Sequence, residues 1–265
     1  LSDEPITIDA LATSSLLREV FVDGLRAGDD ASAITQRLRQ RIALDELGGR
    51  FPTGLFASAI ERDLSALLQS WSEAVSGHPE IVSFGRARES AVVSELLPAI
   101  EIELGDGRRA QLVGISQPRV PGTGAILLTP SKRVSPKHRV RGFFDHVVAA
   151  AAERDTRGGY VVLGRLAEPK RVSLASPSPE QARTYLASLI DDLLTASHAY
   201  ALPCELAAAA FDKPNAELAR LHQSLSRSSD DFGPLGPHHG AQVPEGGRQV
   251  LERRLSLMVE LEGQA

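Results

Sequence analysis

The sequence predicts an α/β protein with helical additions at both ends, and three observations carry that reading. Apolar side chains recur at helical spacing through residues 9–76. From about residue 80 the pattern changes to short apolar or alternating runs, with Gly105-Asp106-Gly107 as a hairpin signal. Beyond residue 135, two amphipathic helical segments bracket two further strands, so strands and helices alternate. The expected division is a helical segment over 1–78 and an α/β domain with a C-terminal helical extension over 79–265.

Each element has a local reason. Asp9 can cap a first helix with apolar positions Leu11, Leu16, Leu17, Val20, Phe21 and Leu25. A second helix runs from about Ala31 to Leu47 and stops at Gly48-Gly49. Thr53 can cap a third, which carries Phe56, Ile60, Leu64, Leu67, Leu68 and Trp71 and ends near Gly77-His78-Pro79. Trp71 and the phenylalanines read as core residues. Strands are expected at Glu80–Phe84, Ala99–Leu104, Arg109–Ser116 and Ala125–Thr129, with a Pro/Gly loop from Pro118 to Gly124. The last three strands form a meander around the Gly105-Asp106-Gly107 turn.

A helix from about Pro136 to Glu153 gathers Val140, Phe143, Phe144, Val147, Val148 and Ala151 on one face. Tyr160–Leu166 and Arg171–Ala175 read as strands. Ser178-Pro179-Glu180-Gln181 resembles a capping box with proline at the first helical position. The helix it opens is expected to bury Ala182, Tyr185, Leu186, Leu189, Ile190, Leu193 and Leu194, with Asp191-Asp192 on the wet side. The tail holds a helix near Asn215–Ser226, a long polar loop from Phe232 to Gly247, and a final amphipathic helix over Gln249–Leu261.

Composition excludes several classes. With 265 residues, 42% of them hydrophobic, the chain can bury a large core. Its single cysteine, Cys204, leaves no intrachain disulfide and no CxxC metal site, which fits a reducing interior. The longest apolar runs, Val147–Ala152 and Leu206–Phe211, fall far short of the about 20 residues that cross a bilayer. The opening Leu-Ser-Asp-Glu-Pro has no initiator Met, basic region or apolar signal core, and reads as the start of a piece of a longer protein.

Against a formal net charge of -5, the stretch from Gly107 to Phe144 contains no acid and eight Lys/Arg. They are Arg108, Arg109, Arg119, Lys132, Arg133, Lys137, Arg139 and Arg141. The bland reading is a solvated loop and helix start. The functional reading is an electrostatic surface for phosphates, where each phosphate neutralised adds salt-sensitive affinity. Few aromatics interleave with these basic residues, which favours contact with a nucleic-acid backbone or a partner over base stacking. Short strands followed by a helix are also the arrangement in which many nucleases hold metal-binding carboxylates.

Other motifs reduce to structure. Gly105-Asp106-Gly107 lacks the remainder of a dinucleotide loop, and no Gly-Lys-Ser/Thr phosphate loop or Gly-x-Ser-x-Gly elbow occurs. His238-His239 has no carboxylate or cysteine beside it to complete a metal site. Glu101 and Glu103 share one strand face, which reads as solvated. Neither cofactor nor metal is expected.

Several segments, taken in order, resemble the C-terminal part of the gamma subunit of exodeoxyribonuclease V, the RecC family. They are Ile6-Thr7-Ile8-Asp9-Ala10-Leu11, then Gly49-Arg50-Phe51-Pro52-Thr53-Gly54-Leu55-Phe56, then Leu112-Val113-Gly114-Ile115. Val140-Arg141-Gly142-Phe143-Phe144-Asp145-His146-Val147 and Ala201-Leu202-Pro203-Cys204 follow. The family's tryptophan in the fourth segment is a phenylalanine here, and its Pro-Leu-Pro-Phe is reduced to Leu-Pro-Cys. His146 is carried over as a structural residue.

The resemblance implies a degenerate PD-(D/E)xK nuclease-like core (helix, three-strand meander, helix, strand) that has lost its active site. Active relatives place two acids and a lysine on the second and third core strands, to hold divalent ions and organise the attacking water. Here Ser116 or Gln117 falls at the first acid, Thr129 at the second and Ser131 at the lysine, with Lys132 one residue late. The implied function is a non-catalytic, cytoplasmic scaffold that guides DNA within a RecBCD-like helicase–nuclease during double-strand break repair and recombination. RecB-like and RecD-like subunits and DNA would be its partners. The competing readings are an active metal-dependent nuclease using displaced acids such as Glu101, Glu103 or Asp145, and a domain that binds only other proteins.

Overall fold

Asp9 opens the first helix as its position predicts: its Oδ1 accepts hydrogen bonds from the backbone N–H groups of Leu11 and Ala12, both at 2.8 Å. The computed structural model describes residues 8–77, 97–120, 124–130, 136–164, 169–194 and 247–265. The expected strand at Glu80–Phe84, the helix at Asn215–Ser226 and most of the Phe232–Gly247 loop lie outside them. So do His238, His239 and Cys204.

Helix α1 (Ala10–Ala27) is followed by α2 (Ala31–Leu47), where Asp30 Oδ1 accepts from the Ala33 N–H at 2.8 Å, and by α3 (Gly54–Gly77). All three were legible from periodicity. The three helices pack on one another. At Gly24 a Cβ would stand 2.5 Å from Ile34 Cγ1, so glycine lets α1 approach α2 closely. Phe21 and Trp71 meet edge to face with centroids 5.3 Å apart, inside a core that also holds Leu17, Leu38 and Leu68.

Strands β1 (Ile100–Glu103) and β2 (Arg109–Leu112) form an antiparallel hairpin. Strands β3 (Arg119–Val120), β4 (Gly124–Leu128), β5 (Tyr160–Leu163) and β6 (Lys170–Val172) form a second sheet in that order. β3 runs antiparallel to β4, whereas β4 and β5 are parallel, with Ala125 opposite Tyr160 and Leu128 opposite Leu163. Helix α4 (Pro136–Ala151) lies between them in sequence, as a parallel connection requires. Ile126, Leu128, Val161 and Leu163 belong to the same core as the three N-terminal helices.

This corrects the expected three-strand meander. Among the described residues the hairpin is a two-stranded sheet, and the third strand of the expected meander takes a parallel partner in the other sheet. Side-chain burial explains the choice. β1 alternates buried Ile100 and Ile102 with exposed Glu101 and Glu103, so it can cover one apolar face only. Every residue of β4 and of β5 is buried, the signature of strands covered on both faces.

The chain divides into two compact units, each assembled from separated stretches of sequence. The first comprises Leu1–Glu95, Ser116–Val134 and Tyr160–Arg171, and so holds α1–α3 with the larger sheet. The second comprises Leu96–Ile115, Ser135–Gly159 and Val172–Ala265. It holds the hairpin, α4, α5 (Pro179–Leu194) and α6 (Gly247–Gly263).

In the second unit α4 packs on α5, and the rings of Phe143, Phe144 and Tyr185 stack together. His146 is fully buried, and its Nε2 bonds the Ala175 carbonyl at 2.9 Å, which requires the proton on that nitrogen. The Ala175 N–H in turn donates to the Leu261 carbonyl at 2.9 Å. Ser178 Oγ accepts from the Gln181 N–H at 3.0 Å and starts α5 with proline at its first position, as expected. The apolar stripe of α5 ends early, however. Leu193 and Leu194 are exposed, while Asp192, expected on the wet side, is buried.

Candidate nucleic-acid and partner interface

Ser116 and Thr129, which the resemblance aligns with acids, lie near one end of a strand pair. The Ile126 N–H donates to the Pro118 carbonyl at 2.7 Å, so the pairing of β3 with β4 extends beyond the strands proper. Running back from Pro118, the chain passes Ser116; running forward along antiparallel β4, it reaches Thr129 at the same end. Ser116 and Thr129 are buried, and the Thr129 N–H is fixed to the Leu163 carbonyl at 3.0 Å. Gln117 is buried as well. Ser131 lies outside the described residues. Neutral hydroxyls and an amide are poor substitutes for the carboxylates that bind a hard divalent cation.

The displaced acids do not gather either. Glu101 and Glu103 are exposed on β1, and Glu103 stands directly across the hairpin from Arg109. Asp145 is half-buried on α4. Among the described residues no group of three or more His, Cys, Asp or Glu side chains is placed to hold a metal ion.

Acids from outside the acid-free stretch reach its basic residues. Arg108 Nε bonds Asp106 Oδ2 at 2.5 Å, and the Arg108 N–H donates to Asp106 Oδ1 at 3.0 Å. That backbone bond, more than the guanidinium, holds the Asp106 carboxyl below its usual range. Arg139 on α4 grips Glu262 on α6 with both ends of its fork, Nε to Oε1 at 2.7 Å and Nη2 to Oε2. Arg109 and Arg141 are exposed. Arg119 is half-buried on β3 and belongs to the first unit. Lys132 and Arg133 lie outside the described residues, and Lys137 occupies the second position of α4. The stretch is basic in sequence but already partly neutralised in the fold.

Sequence reasoning missed a second charged cluster. Asp192 accepts from Arg253 Nη2 at 2.6 Å and from Arg254 Nε at 3.1 Å, and Asp191 Oδ2 accepts from the Gly105 N–H at 3.3 Å. The Tyr185 hydroxyl donates to the Arg254 carbonyl, and burial pushes its ionisation well above the ordinary range, against a smaller opposing pull from the Arg254 charge. Neighbouring acids on α5 thus tie down both the hairpin turn and the terminal helix. The one local hint was the adjacent acid pair beside a strongly apolar face.

These features define an α/β protein of two interleaved units, with a locally neutralised basic stretch and hydroxyls at Ser116 and Thr129. The model of the family described as RecC C-terminal domain matches residues 1–213. The chain belongs to that family, the C-terminal domain of the gamma subunit of exodeoxyribonuclease V. No curated protein matches the chain. Among the described residues, no helix is long and apolar enough to cross a membrane.

Proposed function

We propose that this domain is a non-catalytic scaffold of a RecBCD-like helicase–nuclease, acting in the cytoplasm in double-strand break repair and recombination. It packs against RecB-like and RecD-like subunits and guides DNA past its basic stretch, while those subunits hydrolyse ATP and cut. Membership of the RecC C-terminal family supports the setting. The single observation that supports the non-catalytic reading is that Ser116 and Thr129, the residues aligned with acids by the resemblance, are neutral and buried near one end of the β3–β4 pair. The parallel pair β4–β5, with α4 between them in the chain, is the part of the fold that suits a degenerate PD-(D/E)xK core.

The DNA path is read from Arg109, Lys132, Arg133, Lys137 and Arg141. Replacing Arg109, Lys132, Arg133 and Lys137 together by Glu should weaken binding to a short blunt-ended duplex. It should also flatten the dependence of affinity on salt, by about 0.9 in log–log slope for each phosphate that is no longer neutralised. Unchanged affinity and slope would remove DNA guidance and leave the scaffold alone. The nuclease alternative predicts that the chain cuts linear DNA with Mg²⁺ or Mn²⁺ and that Glu101→Ala abolishes the cutting. The scaffold reading predicts no cutting by either protein.

A further inference from the structure

We infer that one end of the α1–α3 bundle is a docking surface for a partner subunit whose contact face is apolar and bordered by lysine or arginine. The inference rests on the scaffold reading above and assigns that contact to particular residues. Five large apolar side chains stay exposed at this end: Leu11 (77%), Leu44 (61%), Leu47 (86%), Leu55 (88%) and Phe56 (58%). They come from the start of α1, the close of α2 and the start of α3.

Pairings along the helices bring the five together. A Cβ at Gly24 would touch Ile34, and Glu19 pairs with Arg41 at 3.6 Å, so α1 and α2 run antiparallel. Leu11 therefore comes level with the last turn of α2. Arg39 pairs with Glu61 at 2.8 Å, which brings Leu44 level with Phe56 across α2 and α3. Leu44 and Leu47 are three apart and share a face of α2. The interior does not need these side chains: Leu38, Ile42, Phe51, Leu64 and Leu67 already fill it.

Area and charge define what fits. Each of the five presents on the order of 100 Å² of apolar surface, about 500 Å² in all. A standard interface takes about 800 Å² from each partner, and about 56–65% of that is apolar. The five thus supply the apolar share of one such contact. In the described stretches 8–12 and 44–56, the acids Asp9, Asp45 and Glu46 stand against a single base, Arg50. Arg50 is itself paired with Asp45 at 2.8 Å. A rim of that balance opposes a phosphate backbone, and it opposes a second copy of this end, which would bring the same acids face to face. It favours lysine or arginine around the partner's apolar centre.

The test is binding of the 265-residue chain to the purified RecB-like and RecD-like subunits of its complex, titrated at several salt concentrations. Leu47→Ser, Leu55→Ser and Phe56→Ser combined should weaken binding at least about 30-fold. Because all three side chains are exposed, the thermal midpoint should match the parent's. Glu46→Lys keeps every apolar contact. It should weaken binding about fivefold near 50 mM salt, with the difference closing by about 0.5 M as screening removes the charge contribution.

Parent-like affinity in the triple variant overturns the docking surface and leaves the scaffold reading standing. Parent-like or tighter binding by Glu46→Lys at low salt overturns the basic-bordered partner. A parent chain that is dimeric by light scattering, and monomeric in the triple variant, makes the occupant a second copy and overturns the assignment. If the parent chain binds neither subunit, the scaffold reading fails and the docking surface falls with it.

Discussion

Asp192 on α5 accepts a hydrogen bond from Arg254 on α6 at 3.1 Å, joining residues 62 positions apart across two helices. Its other oxygen takes Arg253 at 2.6 Å, so one buried carboxylate answers two guanidinium groups. Removing the carboxylate takes the Asp192 ion pair from Arg254, itself only 22% exposed. Hydrogen bonds to charged groups contribute about 1.5–3 kcal/mol each when intact, although Arg253 is exposed enough to re-solvate. Asp192→Ala is therefore expected to lower unfolding stability by about 2 kcal/mol in urea titrations. A loss within experimental scatter would show that burial of Leu255, Met258 and Leu261 alone seats α6.

The same carboxylate gives a pH signature. Burial alone would raise the Asp192 ionisation, but the hydrogen bonds from Arg253 and Arg254, together with their charges, outweigh it and hold the group below its ordinary value. A folded value depressed below the unfolded one contributes stability that is complete above about pH 4 and is lost as pH falls through the folded value. Asp192→Asn cannot titrate. The gap in urea midpoint between the parent and Asp192→Asn should therefore be constant near neutrality and shrink as pH falls below about 4. A gap that stays unchanged into acid would mean that the pair contributes through packing and not through charge.

What the sequence revealed divides along the line between local and distant causes. Asp9, Asp30 and Ser178 act through backbone groups two or three residues away, and the helices they open follow from spacing and caps. Strand pairing is not local. The turn at Gly105-Asp106-Gly107 correctly predicted β1–β2, but nothing near it says that the ladder stops there. The available signal was the unbroken apolar character of Ala125–Leu128 and Tyr160–Leu163, which marks two strands buried together and parallel. At the site, Ser116 and Thr129 are buried, which their neutral, polar side chains did not announce. The neutralisation of Arg139 was hidden because Glu262 lies 123 residues away.

Gly159 should be irreplaceable for a steric reason. Its φ is +73°, and a Cβ there would stand 2.2 Å from the Val172 carbonyl oxygen and 2.8 Å from the Leu174 nitrogen. Both neighbours are backbone, so no rotamer change relieves the clash. A left-handed conformation costs an L-residue roughly 1–2 kcal/mol before any clash is counted. Gly159→Ala is expected to destabilise by at least about 2 kcal/mol, read as a fall in thermal midpoint. A midpoint equal to the parent's would require the 172–174 backbone to yield freely.

Glu153 presents the opposite case, an L-residue where glycine is the usual choice. It ends α4 with φ +59°, its N–H bonded to the Ala150 carbonyl and the next N–H, that of Arg154, to the Ala149 carbonyl, each at 2.9 Å. That is the double-bonded helix stop in which glycine avoids the Cβ penalty. Glu153 compensates with an ion pair to Arg183 at 2.7 Å, but the two side chains are 65% and 41% exposed. Exposed pairs contribute about 0–1 kcal/mol, and the left-handed penalty is as large or larger. Glu153→Gly should therefore be neutral to stabilising, by up to about 1 kcal/mol, whereas Glu153→Ala keeps the strain, loses the pair and should destabilise. Urea midpoints of the two variants separate the effects: if both fall equally, the Arg183 pair and not the backbone sets the stability of this helix end.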